Sequence, residues 1–440
     1  FSSMARISLK EKEFFAAFDR LPDAEGRIME MVSRAARPIG FYRFERVEVS
    51  PVEDARLWAS FSKASQGAER LPIFCRSKGE GEWMLRMSGA LALIRFGMTH
   101  RLYNEASPAK LWWEGDCFWR EGTGRDDGVR RSYEIALATI GQDDPLAVAE
   151  IMMVLWRSFG ELGIRDEDLS VRVNAVGCGV CRAAFRSAMT AYLRPRSGRL
   201  CKVCRVGARR APVRLAACSD ERCRAIIENA PQMLDFLCDS CGRHLRTLFE
   251  CFDEARLPYF LDSTLYREES FFSDIIFEFR YKAAHGEDSE AGEGPGSVVL
   301  AEGGRMSRVG KAMTGKRFGA VAGVILLDNA LDAAVAAAPE APRHSPVFVV
   351  QLGELAKRKS LVLVERLREG GIPMFASFGR DSIRAQLKAA ERAGTNLALV
   401  LGQIEALDGT VIVREVMSGI QETVRQDKIV DFLKERVMGK

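Results

Sequence analysis

The sequence has no apolar run approaching the roughly 20 residues that a helix needs to cross a bilayer, so no membrane partner is expected. Nor does the start of the chain carry the apolar core of a secretory signal. Phe1-Ser2-Ser3 reads as an appended tail ahead of a native Met4, and the protein is placed in the cytoplasm. A strong charge imbalance is missing too. With 64 Lys and Arg against 60 Asp and Glu, the net charge is only +4, which by itself does not indicate nucleic acid. Histidine is scarce, at four residues. What the chain does have is length and ordinary globular composition. Its 440 residues are 47% hydrophobic and 28% charged, enough for two or three domains with buried cores.

One absence is local. Between Arg182 and Ser219 there is no Asp or Glu, while Arg182, Arg186, Arg194, Arg196, Arg199, Lys202, Arg205, Arg209, Arg210 and Arg214 all fall there. A solvated face would normally mix signs, whereas a field of one sign suits a phosphate backbone. Arg194, Arg196, Arg199, Arg205, Arg209, Arg210 and Arg214 are therefore this segment's candidates for RNA contact. Cysteines are concentrated in the same region. Of the 11 present, Cys75, Cys117 and Cys251 are scattered and read as small apolar residues. The others form Cys178/Cys181, Cys201/Cys204 and Cys238/Cys241, each C-x-x-C, and Cys218/Cys223 with a longer gap. Structural disulfides do not suit a reducing compartment, and paired thiolates on a tight turn grip a tetrahedral zinc. A redox role would account for one such pair. Four pairs point to one or two zinc ions, with two four-cysteine sites favoured. Spacing does not decide which pairs share an ion, and His244, three residues after Cys241, could replace a thiolate.

Periodicity gives a coarse map of the rest. Residues 11–37 read as a helix with Phe14, Phe15, Phe18, Ile28, Met29 and Val32 on one face. Strands are expected over 40–49, 83–86, 111–119, 133–140 and 170–176, and an amphipathic helix over 144–163. After Pro258, the run Ile275, Ile276, Phe277 and Phe279 restores strand character, and 283–296 is polar and Gly-rich. Strand 298–301 and helix 321–337 close the unit. Beyond a Pro- and Ala-rich linker, strands at 347–351, 374–377, 397–401 and 411–414 accompany helices at 353–370, 381–393 and 426–437. That alternation implies a mostly parallel sheet covered on both faces. The fold class is mixed α/β, with a core over 4–175 and 255–337, a cysteine-rich insertion over 176–254 and a C-terminal domain over 347–440.

Four groups of residues carry a family likeness. At the C-terminus stand Asp381-Ser-Ile-Arg-Ala-Gln-Leu-Lys388, Ala393-Gly394, Leu399-Val-Leu-Gly402 and Gly409-Thr-Val411. Upstream stand Pro108-Ala-Lys, then Leu111-Trp-Trp-Glu-Gly-Asp-Cys-Phe118, the strand-and-helix segment 171–192, and finally Phe277-Glu278-Phe279 with Gly303-Gly304-Arg305. In this order they resemble histidyl-tRNA synthetases, a class II aminoacyl-tRNA synthetase family. The resemblance implies an antiparallel catalytic sheet interrupted by the insertion, followed by a small α/β anticodon-binding domain. It also implies a homodimer paired through Gly40–Val52, and tRNA as partner. Arg384 and Lys388 become further RNA-contact candidates. ATP and magnesium are implied only if the ligase chemistry is retained.

The positions that would carry that chemistry depart from the family pattern. Adenylate formation places one Arg on the α-phosphate and another on the γ side, because charge develops on the phosphates. The expected Phe-Arg-x-Glu reads Phe118-Trp119-Arg120-Glu121, which moves the guanidinium to the other face of a strand. The expected Gly-x-Glu-Arg reads Leu326-Leu327-Asp328-Asn329, and Arg-Pro-Glu-Gly-Thr reads Arg86-Met87-Ser88-Gly89-Ala90. The Gln and Glu that frame the imidazole appear as Glu134 and Ala138. Arg-Gly-Leu-Asp-Tyr-Tyr reads Arg267-Glu268-Glu269-Ser270-Phe271-Phe272. Arg86, Glu121, Arg267 and Arg305 remain as vestigial catalytic candidates. Each missing charged contact costs on the order of 2–4 kcal/mol of transition-state stabilisation. The chain therefore reads as a non-catalytic paralogue that binds tRNA or another structured RNA as a homodimer. Two other readings stand beside it: an active, diverged ligase in which Arg120, Arg125 or Arg130 takes over the phosphate, and a regulatory subunit that binds a protein partner.

Overall fold

The computed structural model describes residues 19–56, 70–75, 81–102, 107–121, 128–202, 204–205, 218, 220–263, 265, 272–282, 297–315, 318–337, 346–376 and 382–438. It divides into two compact units, Phe1–Pro339 and Glu340–Lys440. The first holds β1 (Glu45–Arg46), β2 (Val52–Asp54), β3 (Arg70–Leu71), β4 (Phe74–Cys75), β5 (Trp83–Leu85) and β6 (Ala109–Glu121). After these come β7 (Val129–Ile140), β8 (Leu169–Gly177), β9 (Phe260–Leu261), β10 (Ser273–Tyr281), β11 (Val298–Arg305) and β12 (Ala320–Leu326). Among them a nine-stranded, largely antiparallel sheet runs β1-β6-β7-β12-β11-β10-β8-β9, with β3 also paired to β6. A smaller sheet joins β2, β5 and β4.

Alternation sorts the large sheet's side chains onto two faces. On one face, Ile135, Leu137, Val173, Phe277, Phe279, Val321 and Ile325 pack against the helices Pro22–Phe41, Pro145–Glu161, Asp239–Ala255 and Leu327–Ala337. The Pro145–Glu161 helix starts where its sequence directs. Pro145 occupies the first turn, where its missing N–H is harmless, and Asp144 accepts from the Leu146 and Ala147 N–H groups. Val148, Ile151, Met152, Leu155 and Phe159 then recur on one side and are fully buried. On the sheet's other face, Trp113, Cys117, Ala136, Ala138, Ile276 and Ala322 meet the helix Gly89–Thr99 and Val309 of Ser307–Thr314.

Several expected elements change here. The helix over 321–337 is a strand as far as Leu326, because Ala320–Leu326 is buried throughout and paired with both β7 and β11. The strand over 40–49 shrinks to β1, since the Pro22–Phe41 helix continues past Pro38 and the chain turns at Arg43 with φ 64. On that helix Met29 faces outwards, and the buried stripe is Ile28, Met31, Val32, Ala35 and Ile39. Phe14, Phe15 and Phe18 lie outside the described residues.

The insertion is built around its own small cluster. Phe185, Met189 and Leu193 of the Gly179–Leu193 helix pack with Leu200, Ile226, Met233 and buried cysteines. The second unit contains β13 (Val347–Gln351), β14 (Met374–Ala376), β15 (Leu397–Leu401), β16 (Thr410–Glu415) and β17 (Gln421–Arg425), in the order β14-β13-β15-β16-β17. Only the β14-β13-β15 part is parallel; β16 and β17 add antiparallel strands. β17 is a strand the pattern did not reveal, and the expected terminal helix follows it as Ile429–Leu433 and a wider turn over Lys434–Met438. No helix among the described residues is long and apolar enough to cross a membrane.

Candidate functional sites: a catalytic face and two cysteine clusters

The register between β6 and β7 is unbroken from Ala109↔Ile140 to Arg120↔Val129. Trp119 therefore shares a face with Trp113 and Cys117, while Arg120 shares the opposite face with Trp112 and Asp116. Trp119 packs against the buried Met84 and Met87. On the Arg120 side the nearby cations already face acids. Arg131 reaches Asp116 at 2.6 and 2.9 Å, and Arg20 lies 3.5 Å from Asp116 and 3.4 Å from Asp328. Arg130 is the cross-strand partner of Trp119, so it lies on the Trp119 face, and it is exposed.

The other family positions have structural tasks. Ser88 caps the Gly89–Thr99 helix by accepting from the Leu91 N–H at 3.4 Å. Arg86 is almost wholly buried, donating to the carbonyls of Val49 (2.9 Å), Ser50 (3.0 Å) and Asp116 (3.0 and 3.2 Å). Its guanidinium lies 3.9 Å from the centre of the Trp113 ring, a stacked arrangement that a cation favours. Glu134 accepts from the Gly89 N–H at 2.9 Å and the Cys117 thiol at 3.2 Å. Ala138 faces Ala322 across the β7–β12 pairing, both fully buried. Asn329 donates to the Val299 carbonyl at 2.8 Å. Arg305 pairs with Asp143 and lies 3.5 Å from Asp274. Arg267 lies outside the described residues, as does the side chain of Glu121.

The eight clustered cysteines resolve into two foursomes whose sulfurs lie within 4.8 Å of one another: Cys178, Cys181, Cys238 and Cys241, and Cys201, Cys204, Cys218 and Cys223. All are free thiols. Sulfurs held about 2.3 Å from a tetrahedral zinc stand roughly 3.8 Å apart, and Cys178–Cys181 and Cys201–Cys218 are separated by 3.5 and 4.0 Å. Backbone N–H groups support the sulfurs as thiolates. Cys238 N donates to Cys181 Sγ at 3.2 Å, Cys204 N to Cys201 Sγ at 3.4 Å and Cys201 N to Cys223 Sγ at 3.3 Å. N–H donation from Cys181 draws the Cys178 thiol down to about 7, and donation from Cys204 does the same for Cys201. Burial pushes Cys204 and Cys241 upward. Both clusters can hold a metal ion. His244 belongs to neither, contrary to one option left open by its spacing. Its Nε2 is buried without a hydrogen-bond partner among the described residues, and burial followed by the nearby Arg305 lowers its pKa to about 4.

The arginine candidates separate in a similar way. Arg194 and Arg199 are exposed on the turn Arg194–Arg199. Arg196 folds back over Tyr192, 3.9 Å from its ring centre, and Arg205 donates to the Ser197, Gly198 and Leu200 carbonyls. Arg209, Arg210 and Arg214 lie outside the described residues. Arg384 and Lys388 are exposed, one turn apart on the Ile383–Arg392 helix.

Comparison with known proteins agrees with these parts. Residues 346–436 match the anticodon binding domain family. The histidine–tRNA ligase of Dehalococcoides mccartyi strain 195 is 28% identical over 95% of this chain and 98% of that protein. That of Halothermothrix orenii is 27% identical over 95% and 98%. Among solved structures, apo histidyl-tRNA synthetase of S. aureus matches with TM-score 0.70 at 20% identity, covering 99% of this chain and all of that one. A Bacillus halodurans ATP phosphoribosyltransferase regulatory subunit/histidyl-tRNA synthetase matches with TM-score 0.58 at 13% identity, covering 87% of this chain and 96% of that one. With the large sheet and the terminal α/β unit in the expected order, the chain resembles the class II histidyl-tRNA synthetases over nearly its whole length.

Proposed function

We propose that the protein binds tRNA without forming histidyl-adenylate, as a zinc-containing homodimer in a reducing cytoplasm. One observation carries this reading: the catalytic face presents internal packing where the reaction needs charged contacts. Where the family pattern has Arg, Glu and Arg, Trp119 packs on Met84 and Met87, Ser88 caps a helix and Asn329 is bonded to a backbone carbonyl. Adenylation without these contacts loses most of its electrostatic stabilisation. The anticodon-binding family match and the exposed Arg384 and Lys388 support tRNA as the partner. Tetrathiolate clusters suit zinc over harder cations, and exposed Phe41 and Val52 within the Gly40–Val52 segment support pairing with a second copy.

Histidine-dependent pyrophosphate exchange by the full chain is expected to stay at background while unfractionated tRNA binds in filter assays. Robust exchange would overturn the non-catalytic part. Absence of tRNA binding would overturn the RNA part and turn attention to a protein partner. One observation favours the ligase reading. Arg130 lies across from Trp119 on the catalytic face, so exchange abolished by Arg130→Ala would identify it as the replacement phosphate contact.

A further inference from the structure

The two cysteine foursomes occupy different mechanical positions, and only one holds a charged surface in place. We infer that the Cys201/Cys204/Cys218/Cys223 site, loaded with zinc, fixes the Arg194–Arg199 turn as a docking surface for RNA phosphates, whereas the Cys178/Cys181/Cys238/Cys241 site tethers the insertion to the core. This rests on the reading of the protein as RNA-binding.

The tether comes first in the chain. Cys178 and Cys181 follow directly on β8, through Gly177 at φ +61, where a Cβ would stand 2.5 Å from that of Cys181. Cys238 and Cys241 open the Asp239–Ala255 helix, whose Leu245, Leu248 and Phe252 are buried in the main core. A metal here joins the residues that directly follow a core strand to the first turn of a core helix.

The second site grips the arginine turn. Leu200, 3% exposed, anchors the end of the turn in the insertion's apolar cluster. The next residue, Cys201, is itself a ligand candidate, and its N–H reaches Cys223 Sγ at 3.3 Å. Arg205, one residue beyond Cys204, holds the turn's carbonyls at Ser197 (3.1 Å), Gly198 (3.4 Å) and Leu200 (3.2 Å). Tyr192, on the helix leading into the turn, donates to the Ile226 carbonyl at 2.9 Å and ties that helix to the one carrying Cys223. Arg196 and Arg205 are thus positioning residues, and the outward charge is left to Arg194, Arg199 and Lys202. All three are exposed, and among the described residues none makes an ion pair. A cation at the end of the Gly179–Leu193 helix would be stabilised by the helix dipole alone. That accounts for Arg194 but not for Arg199 or Lys202, which lie beyond the helix. With no acid from Arg182 to Ser219, this surface attracts phosphates and discriminates little between bases.

Filter binding of unfractionated tRNA to the full chain across a salt series tests the assignment, with zinc counted in the same preparations. The variant Arg194→Ala/Arg199→Ala/Lys202→Ala should keep both zinc ions and flatten the slope of log affinity against log salt by about 2 units. Cys223→Ser should lose one zinc ion of two and flatten the slope similarly. Cys241→Ser should also lose one ion, but show its effect as faster proteolysis at the insertion–core junction. An unchanged slope in the triple variant, with zinc retained and wild-type protein binding tRNA, overturns this inference and leaves the broader reading standing. No tRNA binding by the wild type removes both.

Discussion

Ser88 stands where the resembled family pattern has Glu, and here its hydroxyl closes the first turn of a helix instead. Replacing it with Ala should therefore lower stability by about 1 kcal/mol, the usual loss of an N-cap, with no change in pyrophosphate exchange; a urea titration reads the first and an exchange assay the second. The same logic applies to Trp119. On the proposed non-catalytic reading, Trp119→Arg places a guanidinium on that face, yet exchange should remain at background, because Asn329 and Ser88 would still offer no charged contact to substrate. His244 gives a pH-dependent prediction. Its folded pKa lies near 4, below the ordinary 6.5, because burial disfavours the imidazolium. Between those values the unfolded chain binds the extra proton, so the stability contributed by neutral His244 is complete above pH 6.5 and lost as pH falls towards 4. The Arg305, Asp143, Asp274 and Asp144 charges around it modify this window without reversing it. In His244→Gln the urea midpoint should fall less than in wild type over that range.

At the scale of elements, two misread segments share one cause: burial on both sides removes the alternation that marks an element. β12 is buried at every position, so its run of Ala, Val, Gly, Ile and Leu carries no period of two and merges with the helix that follows. The Gly89–Thr99 helix is apolar through most of its circumference and gave no helical stripe. Where one side meets solvent, as along Pro145–Glu161, the pattern in the residues is plain. Tight sheet packing also explains Gly303. A Cβ there would stand 2.2 Å from Phe277 Cζ and 2.6 Å from the Ala322 carbonyl, so Gly303→Ala should destabilise the core by roughly 1–3 kcal/mol, visible as a lower urea midpoint.

For the whole molecule, the prediction concerns assembly. A class II sheet that pairs through the Gly40–Val52 segment would cover Phe41, 80% exposed in the single chain, and closed two-fold pairing is the commonest outcome for such a surface. Light scattering at micromolar concentration should report twice the chain mass, and Phe41→Glu should shift it towards the monomer.

Residue identity alone determined the cysteine count, the acid-free basic segment, the order of the parts and the uncharged side chains at Trp119, Ser88 and Asn329, because each is a property of one position or a short run. β15 was likewise legible end to end, its five apolar residues bounded by turn signals. Tertiary structure alone decided which cysteines share a site, since Cys178 and Cys238 meet only when a core strand and a core helix are brought together across the insertion. It also decided that Arg196 and Arg205 hold a turn while Arg194 and Arg199 face outwards, because identical side chains differ only in which carbonyls and rings lie within reach.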